Sequence, residues 1–341
     1  MALIQISQHA DPSSDRLISR SVLRHTPTVR AYVGVTDGEW YRFLAIRPDL
    51  NEVNFWRPSS DREFRALALG EPFYFKTHYV DGNQVVGGGF YSGFAALRVS
   101  QAWELFGNAN GAASLANLRT RVSRYRRAPL AAYEDPTIGC VFIRDTKFFP
   151  PDLVAEPPPQ FAANVVQGRS YDLGHQPTID TYFSDLLQRL LGVRIELDLG
   201  EPWHRPGPVY GDKRLAPGRL GQQSFQAVVL GAYGQRCAVT GEKIRPVLQA
   251  AHIRPISFGG EHRIDNGLLL RSDVHTLFDR GYLGIDSKHR LLVSRRLRAD
   301  FDNGEQFYQR VGEPIRVPER RIDRPNREFL EWHLDEVFLA S

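Results

Sequence analysis

The stretch that decides the fold is AAHIRPISFGGEHRIDNGLLLRSDVHTLFDRG, residues 250–281. It contains three histidines, an Asp-Asn-Gly turn signal and a closing His-x-x-x-Asp. The apolar pattern predicts a strand that ends at His252, and GLLLRSD predicts a second short strand after the loop that carries Asn266. VHTLFDRG predicts a helical segment that Gly281 ends. The predicted order is therefore strand, loop, strand, helix.

The side chains in this stretch suit one kind of chemistry. His275 and Asp279 are four residues apart, so they share one helix face and can hold one ion. A divalent ion held there stabilises negative charge on a leaving oxygen. A neutral imidazole accepts a proton from water near pH 7, which makes His252 a candidate general base. Asn266 can fix His252 through side chain-to-backbone hydrogen bonds. The pattern indicates hydrolysis of a phosphodiester with one metal ion.

The segments CAVTG…LQAAHIRPISFGG…DNGLLLRSDVHTLFDRG resemble the HNH, or ββα-metal, nucleases, especially the restriction endonuclease branch. The resemblance covers roughly residues 225–290. It implies that His252 is the general base, Asn266 the structural middle residue and His275 a metal ligand. Asp279 stands where other members have a second ligand on the helix. The implied cofactor is a divalent metal, Mg²⁺ or Mn²⁺ first, with Ni²⁺ or Co²⁺ as further options.

One position departs from the family pattern. Many members have a metal ligand directly before the first histidine, and this chain has Ala251. The metal shell must then be completed by Asp279, by Asp265 or Asp273, or by water and phosphate. These alternatives stay open in the sequence.

The remaining histidines and the cysteines receive ordinary interpretations. His262 and His289 are expected to be surface or satisfied histidines. The chain has two cysteines, so no structural four-cysteine zinc site is expected. CAVT lacks the second cysteine of a Cys-x-x-Cys pair, and Cys237 is predicted to be a buried packing residue.

Composition describes a globular protein of two domains. The chain has 341 residues, of which 42% are hydrophobic and 24% charged. No apolar run is long enough for a transmembrane helix. The first residues lack a basic segment followed by an apolar run, so no signal peptide is expected. Two cysteines give no disulfide framework. We therefore expect a cytoplasmic protein without a membrane partner.

The basic residues are nearly all arginines. Only five of 43 are lysines, and the formal net charge is +4. RTRVSRYRR at 119–127 and the segment 290–327, which has ten arginines, are the densest groups. A solvated surface and a GC-rich genome are one explanation, and phosphate contact is the other. The predicted phosphate contacts are Arg121, Arg124, Arg126, Arg254 and Arg271.

The first half of the chain predicts strands with a few helices. The predicted strands are WYRFLAIRP (40–48), EPFYFKTHYV (71–80), QVVGGGFYSGFAALRV (84–99) and IGCVFIRDTKFF (138–149). SDREFRALAL (60–69) and the segment 100–127 predict helices. The absence of βαβ alternation favours an α+β fold built on a compact barrel.

Five segments follow from these patterns and from two Pro/Gly-rich passages. They are an N-terminal extension at 1–25, a barrel domain at 26–155, a linker with one helix at 156–215, the nuclease domain at 216–300 and an Arg-rich extension at 301–341.

NFWRPSS…FRALALGEPFYFKTH…VVGGGFYSGF resembles the EVE/ASCH/SRA-type members of the PUA-like superfamily. The resemblance implies a small β-barrel, a fold in which several members bind a modified base flipped out of DNA. Such a base needs an aromatic slot and polar groups at its edge. The candidate pocket residues are Asn54, Trp56, Lys76, Tyr91 and Trp103. The alternative is that these side chains fill the barrel core.

The two resemblances together imply a modification-dependent, type IV-like restriction endonuclease that binds double-stranded DNA. We expect 5-methylcytosine first, then 5-hydroxymethylcytosine and N6-methyladenine. Each HNH site cuts one strand, so a homodimer is expected. One alternative is an inactive reader of modified nucleic acid, which Ala251 favours. The other is a nicking HNH nuclease for unmodified DNA.

Overall fold

The computed structural model describes residues 29–340 except 61, 127–129, 132, 163 and 193–220. The predicted extension at 1–25 and part of the predicted linker lie outside the described residues. The first half of the chain forms one six-stranded sheet in the order β2-β5-β4-β3-β1-β6. Its strands are β1 (Arg30–Thr36), β2 (Glu52–Arg57), β3 (Pro72–Thr77), β4 (Val85–Arg98), β5 (Thr137–Phe148) and β6 (Gly168–Asp172).

The sheet is mixed and open. β1 and β3 are parallel, and the other neighbours are antiparallel. β4 bends at two bulges, between Gly88 and Phe90 and between Tyr91 and Gly93, which curve the sheet. β6, from the predicted linker, pairs with β1 and occupies the edge that would have to meet β2 in a barrel. The α+β class is confirmed, whereas the closed PUA-like barrel is not.

Four helices cover the sheet: α1 (Gly38–Ala45), α2 (Val99–Phe106), α3 (Leu115–Arg124) and α4 (Pro177–Leu191). The strand predicted at 40–48 is wrong, because this segment is mostly α1. The Asp37 side chain accepts a hydrogen bond from Trp40 N at 2.5 Å and caps the helix. Trp40 and Leu44, four residues apart, are both buried as one helix face.

The helix predicted at 60–69 is also wrong. Residues 62–69 form no helix, and Phe64 and Leu67 are buried from a loop. The helical segment predicted at 100–127 is confirmed as α2 and α3. It is interrupted at Gly107 and Gly111, whose positive φ angles of 46° and 71° end the helical path.

The second half has small strands and helices, namely α5 (Gln222–Ala232), β7 (Leu248–His252), β8 (Gly267–Arg271), α6 (Ser272–Asp279), β9 (Leu283–Ile285), β10 (Leu291–Val293), α7 (Arg296–Phe301), α8 (Glu305–Tyr308) and α9 (Arg327–Glu336). β7 and β8 form an antiparallel hairpin, and α6 follows β8 directly. Gly281 ends the helical segment with φ of 76°. The predicted strand, loop, strand, helix order is confirmed.

The Arg-rich segment at the end of the chain is part of this second half. His333 of α9 stacks on Phe278 of α6 at 3.7 Å between ring centroids. The backbone N–H of Asn326 donates to Asp265 O at 2.8 Å, beside the β7–β8 hairpin. No helix in the described part of the chain is long and apolar enough to cross a membrane.

Helix α5 joins the two halves. Its residues belong to one hydrophobic core that includes Leu97 and Cys140 of the sheet and Leu268 of the hairpin. The Glu52 carboxylate, on β2, accepts hydrogen bonds from Gln223 N at 2.9 Å and Ser224 Oγ at 2.6 Å. This acidic cap holds the N-terminus of α5 against the sheet.

Glu52→Ala is expected to lower the free energy of unfolding by about 1–2 kcal/mol, since it removes a charged helix cap. Urea unfolding followed by circular dichroism measures the change. Glu319→Ala, at an exposed position, is the matched control and should stay within about 0.5 kcal/mol of the parent. Equal midpoints for the two variants would contradict the cap.

Candidate active site

The position of His252 is fixed by two ring contacts. Its imidazole stacks on Phe225 of α5, with centroids 4.1 Å apart and planes 6° apart. Its Nε2 lies 3.0 Å from Nδ1 of His262. Nδ1 of His252 has no hydrogen-bond partner in the part of the chain that the structure describes. This nitrogen is therefore available to a substrate.

His252 is held in its neutral form. Burial, with a smaller contribution from the charges of His262 and His275, lowers the pKa of His252 to about 4. The helix that carries His275, α6, packs against β7, the strand that ends at His252. At pH 7 the His252 ring is thus a proton acceptor, the form that a general base requires.

Asn266 connects the two ends of the loop. It is fully buried. Its Nδ2 donates to Arg254 O and Glu261 O, both at 2.9 Å, and its Oδ1 accepts from Arg254 N at 2.9 Å. The asparagine side chain therefore fixes the backbone that directly follows the strand of His252, as the sequence pattern predicted.

His275 and Asp279 lie on one face of α6, as predicted. His275 Nε2 is 3.2 Å from Asp279 Oδ2, and His275 Nδ1 is 2.8 Å from Gln249 Oε1. With Gln249 Oε1 as acceptor, Nδ1 of His275 carries the proton, and the lone pair of Nε2 points toward the Asp279 carboxylate. Nε2 and Oδ2 are then both hydrogen-bond acceptors, so a metal ion or a proton is needed to hold them 3.2 Å apart. The donor set fits a divalent metal, with Gln249 as the outer partner that orients the histidine.

The other proposed carboxylates are already paired. Arg263 donates to both oxygens of Asp265, at 2.9 and 2.6 Å. Arg271 donates to both oxygens of Asp273, at 2.6 and 2.7 Å. Arg271, a predicted phosphate contact, is therefore also paired within the protein. Among the described residues no group of three or more His, Cys, Asp and Glu could hold a metal ion. Of the alternatives, Asp279 with water and phosphate is the one that remains.

Comparison with protein families matches residues 237–286 to the HNH endonuclease model. Residues 237–286 are an HNH endonuclease domain. The chain is therefore a DNA endonuclease, and HNH nucleases use a divalent metal ion. A solved structure titled "Modification dependent TagI restriction endonuclease" has 16% sequence identity to this chain and a TM-score of 0.27. The alignment covers 84% of this chain and 76% of the TagI chain. The comparison with curated proteins found no match.

Three contacts of the HNH site were not predicted. His262 was interpreted as an ordinary histidine, yet it is bonded to His252. Phe225 carries no motif, because its partner is 27 residues away in the chain. Gln249 could have been predicted from the sequence, because it lies two residues before Ala251 on β7 and therefore on the same strand face, the one toward α6. Ala251 itself is fully buried and supplies no ligand.

Two predicted phosphate contacts lie away from the HNH site, on α3. Arg121 is only 2% exposed. Its guanidinium donates to Asp37 Oδ1 at 2.5 Å and to Gly111 O. Burial removes Arg121 from contact with DNA, so this assignment is corrected. Arg124 is exposed and paired with Glu39 at 3.0 Å.

Two further predicted phosphate contacts are partly engaged by the protein. Arg126 donates to Pro58 O at 2.6 Å. Arg254 follows the catalytic strand, donates to Phe258 O at 2.7 Å and lies 5.5 Å over the Trp332 ring. Of the predicted arginines, Arg254 lies in the segment that Asn266 fixes beside His252, and it remains the strongest candidate for a phosphate contact.

The predicted base-pocket residues do not meet in one cavity. Asn54 is fully buried and donates to Asn110 Oδ1 at 2.8 Å. Trp56 donates to Asn110 O at 3.0 Å, and Trp103 packs against the same core. Lys76 is only 4% exposed. These four side chains are structural, because their polar atoms or rings are used inside the fold.

Tyr91 alone of the predicted set lines an open cleft. The cleft has a volume of about 1360 Å³ and lies between the sheet and the C-terminal end of α5. Its apolar wall includes Phe64 and Phe94, and its cationic side chains are Arg30, Arg65, Arg236, Lys243 and Arg320. Arg320 is partly neutralised by Glu63 at 3.6 Å and Asp323 at 3.4 Å.

The protonation of His252 can be measured directly. In metal-free protein, proton NMR of the histidine rings is expected to show His252 titrating near pH 4 rather than near 6.5, because burial penalises the imidazolium. Because the unfolded chain takes up this proton more readily, the free energy of unfolding is expected to decrease as the pH falls from 6.5 toward 4. A His252→Gln spectrum assigns the signal. A midpoint at or above pH 6 would contradict the buried, neutral base.

Asn266→Ala is expected to destabilise the protein by about 2–4 kcal/mol, since it leaves buried backbone groups of Arg254 and Glu261 without partners. The cleavage rate should fall at the same time. Thermal unfolding and plasmid cleavage test both effects. Asn303→Ala, at an exposed position, is the control. If both the stability and the cleavage rate were unchanged, the hydrogen bonds of the Asn266 side chain would have no role.

Proposed function

We propose that the chain is a modification-dependent restriction endonuclease whose HNH domain hydrolyses DNA. The observation that carries the nuclease chemistry is a neutral His252 with a free Nδ1, together with a His275–Asp279 pair on α6, the helix that packs against the strand of His252. A neutral acceptor beside a metal-binding pair is what hydrolysis of a phosphodiester requires.

In the proposed reaction, a water oxygen forms the new bond to phosphorus while Nδ1 of His252 takes one proton from that water. The bond from phosphorus to the leaving oxygen breaks, and the leaving oxygen takes a proton from solvent. Asn266 keeps the strand end and loop in place during this transfer. A divalent metal held by His275 and Asp279, Mg²⁺ or Mn²⁺ first, would stabilise negative charge at the phosphate and the leaving oxygen.

The targeting function is proposed for the sheet and the cleft beside it. A 50-residue HNH match leaves most of the chain for other tasks. The cleft is large enough for a nucleotide, has aromatic side chains at its wall and has more cationic than anionic side chains. We infer that a modified base, 5-methylcytosine first by the PUA-like resemblance, enters this cleft with Tyr91 at its wall.

Two copies of the chain are needed for a double-strand break. The described residues carry one His252–Asn266–His275 site, and each site cuts one strand. We therefore propose a homodimer on double-stranded DNA. A nicking enzyme for unmodified DNA would have the same single site, so the topology of the product separates the two functions.

The test uses three matched plasmids, unmodified, cytosine-methylated and adenine-methylated, each with Mg²⁺ or Mn²⁺ and with EDTA. We expect linear product from the cytosine-methylated plasmid only, no product with EDTA, and a rate at least about 100-fold lower for His252→Ala. His175→Ala, at an exposed position, is the control.

Each other outcome of this assay has a clear meaning. Equal cutting of all three plasmids would refute dependence on modification, and nicked product alone would favour the nicking enzyme. Methylated-DNA binding without cutting under either metal would favour the inactive reader.

A further inference from the structure

We propose that His262 is a positioning residue for the general base, which holds the His252 ring and stabilises it when it takes up a proton. The inference rests on the proposed role of His252. It assigns a function to a histidine that has no place in the His252, Asn266 and His275 set.

The geometry places the two histidines as a pair. His252 Nε2 and His262 Nδ1 are 3.0 Å apart, and the ring planes meet at 54°. Phe225 contacts both rings, with centroid distances of 4.1 Å to His252 and 5.6 Å to His262. The phenyl ring covers one face of His252, so rotation of the imidazole about its Cβ–Cγ bond is restricted.

The same buried amide holds the backbone of both histidines. Asn266 Nδ2 donates to Arg254 O, two residues after His252, and to Glu261 O, directly before His262. The loop between them is tight: a Cβ on Gly260 would lie 1.9 Å from Arg254 O. The separation of the two rings is therefore set by the fold of the loop rather than by chance side-chain rotation.

The hydrogen bond becomes stronger as the reaction proceeds. A neutral imidazole has one N–H, so the bond between His252 and His262 needs one donor and one acceptor. When Nδ1 of His252 takes the proton from water, both of its nitrogens carry hydrogen and Nε2 must donate. His262 Nδ1 then accepts a charge-assisted hydrogen bond. An interaction that gains strength with the developing charge lowers the barrier.

The test compares His262 variants in steady-state cleavage of the plasmid that the parent cuts. His262→Ala should lower kcat by about 10–100-fold with KM for DNA nearly unchanged, since the charged form of His252 loses a stronger hydrogen bond than the neutral form does. His262→Asn retains an acceptor oxygen at the same branch of the side chain and should recover to within about 5-fold of the parent.

The pH profile separates positioning from a purely structural role. His262→Asp places a carboxylate on Nε2 of His252, so the acid limb of kcat should move to higher pH than in the parent. His275 is the other titratable group whose charge bears on His252, and it is unchanged in every variant. His175→Ala, at an exposed position, should match the parent throughout.

The outcomes separate the inference from the function on which it rests. If His252→Ala cuts at the parent rate, the general-base assignment fails. If His252→Ala is inactive and His262→Ala keeps the parent kcat and pH profile, the positioning role is wrong. It is also wrong if folded His262→Asn, judged by thermal unfolding, is as slow as His262→Ala. Should His262→Ala fail to fold, the role is wrong if folded His262→Asn is more than about 5-fold slower than the parent, or if folded His262→Asp keeps the parent pH profile.

Discussion

The contact between Phe225 and His252 is the interaction on which the site depends. A hairpin of two five-residue strands and one short helix cannot bury a core of its own, and α5 supplies the missing wall. Phe225 and Val229 pack so closely on the hairpin that a Cβ at Gly267 would lie 3.1 and 2.6 Å from them. The His252 ring is thus oriented by a helix outside the hairpin, and that helix is capped by Glu52 of the sheet.

Through α5, the two halves of the chain share one hydrophobic core. Ser92 of β4 and Ser224 of α5 share a buried hydrogen bond of 2.9 Å, beside the Glu52 cap. Val228 and Gly231, farther along α5, line the cleft where we place the modified base. A nucleotide in that cleft would therefore contact the helix that also contacts the His252 ring. In the proposed function, base recognition and cleavage would be coupled directly through α5, because residues of this helix belong to both surfaces.

Sequence patterns predicted those parts of the site whose residues lie close together in the chain. The order of strand, loop, strand and helix, the turn at Gly281 and the shared face of His275 and Asp279 all lie within some 30 residues. The strand prediction for WYRFLAIRP was wrong because its alternation of apolar and polar residues fits a strand, while Trp40 and Leu44 also fit one face of a helix. The Asp37 cap favours the helix. Arg121 failed because a pairing with Asp37, 84 residues away, buries its charge.

The absence of a carboxylate at Ala251 changes how the proposed metal site must work. Asp265 and Asp273 are neutralised by Arg263 and Arg271, which leaves Asp279 as the one carboxylate beside His275. With two protein donors, a divalent ion would take its remaining ligands from water and from oxygens of the DNA phosphate. Low negative charge would also reduce repulsion of the incoming DNA backbone. Metal binding and DNA binding would then reinforce each other, because the bound phosphate would complete the set of ligands.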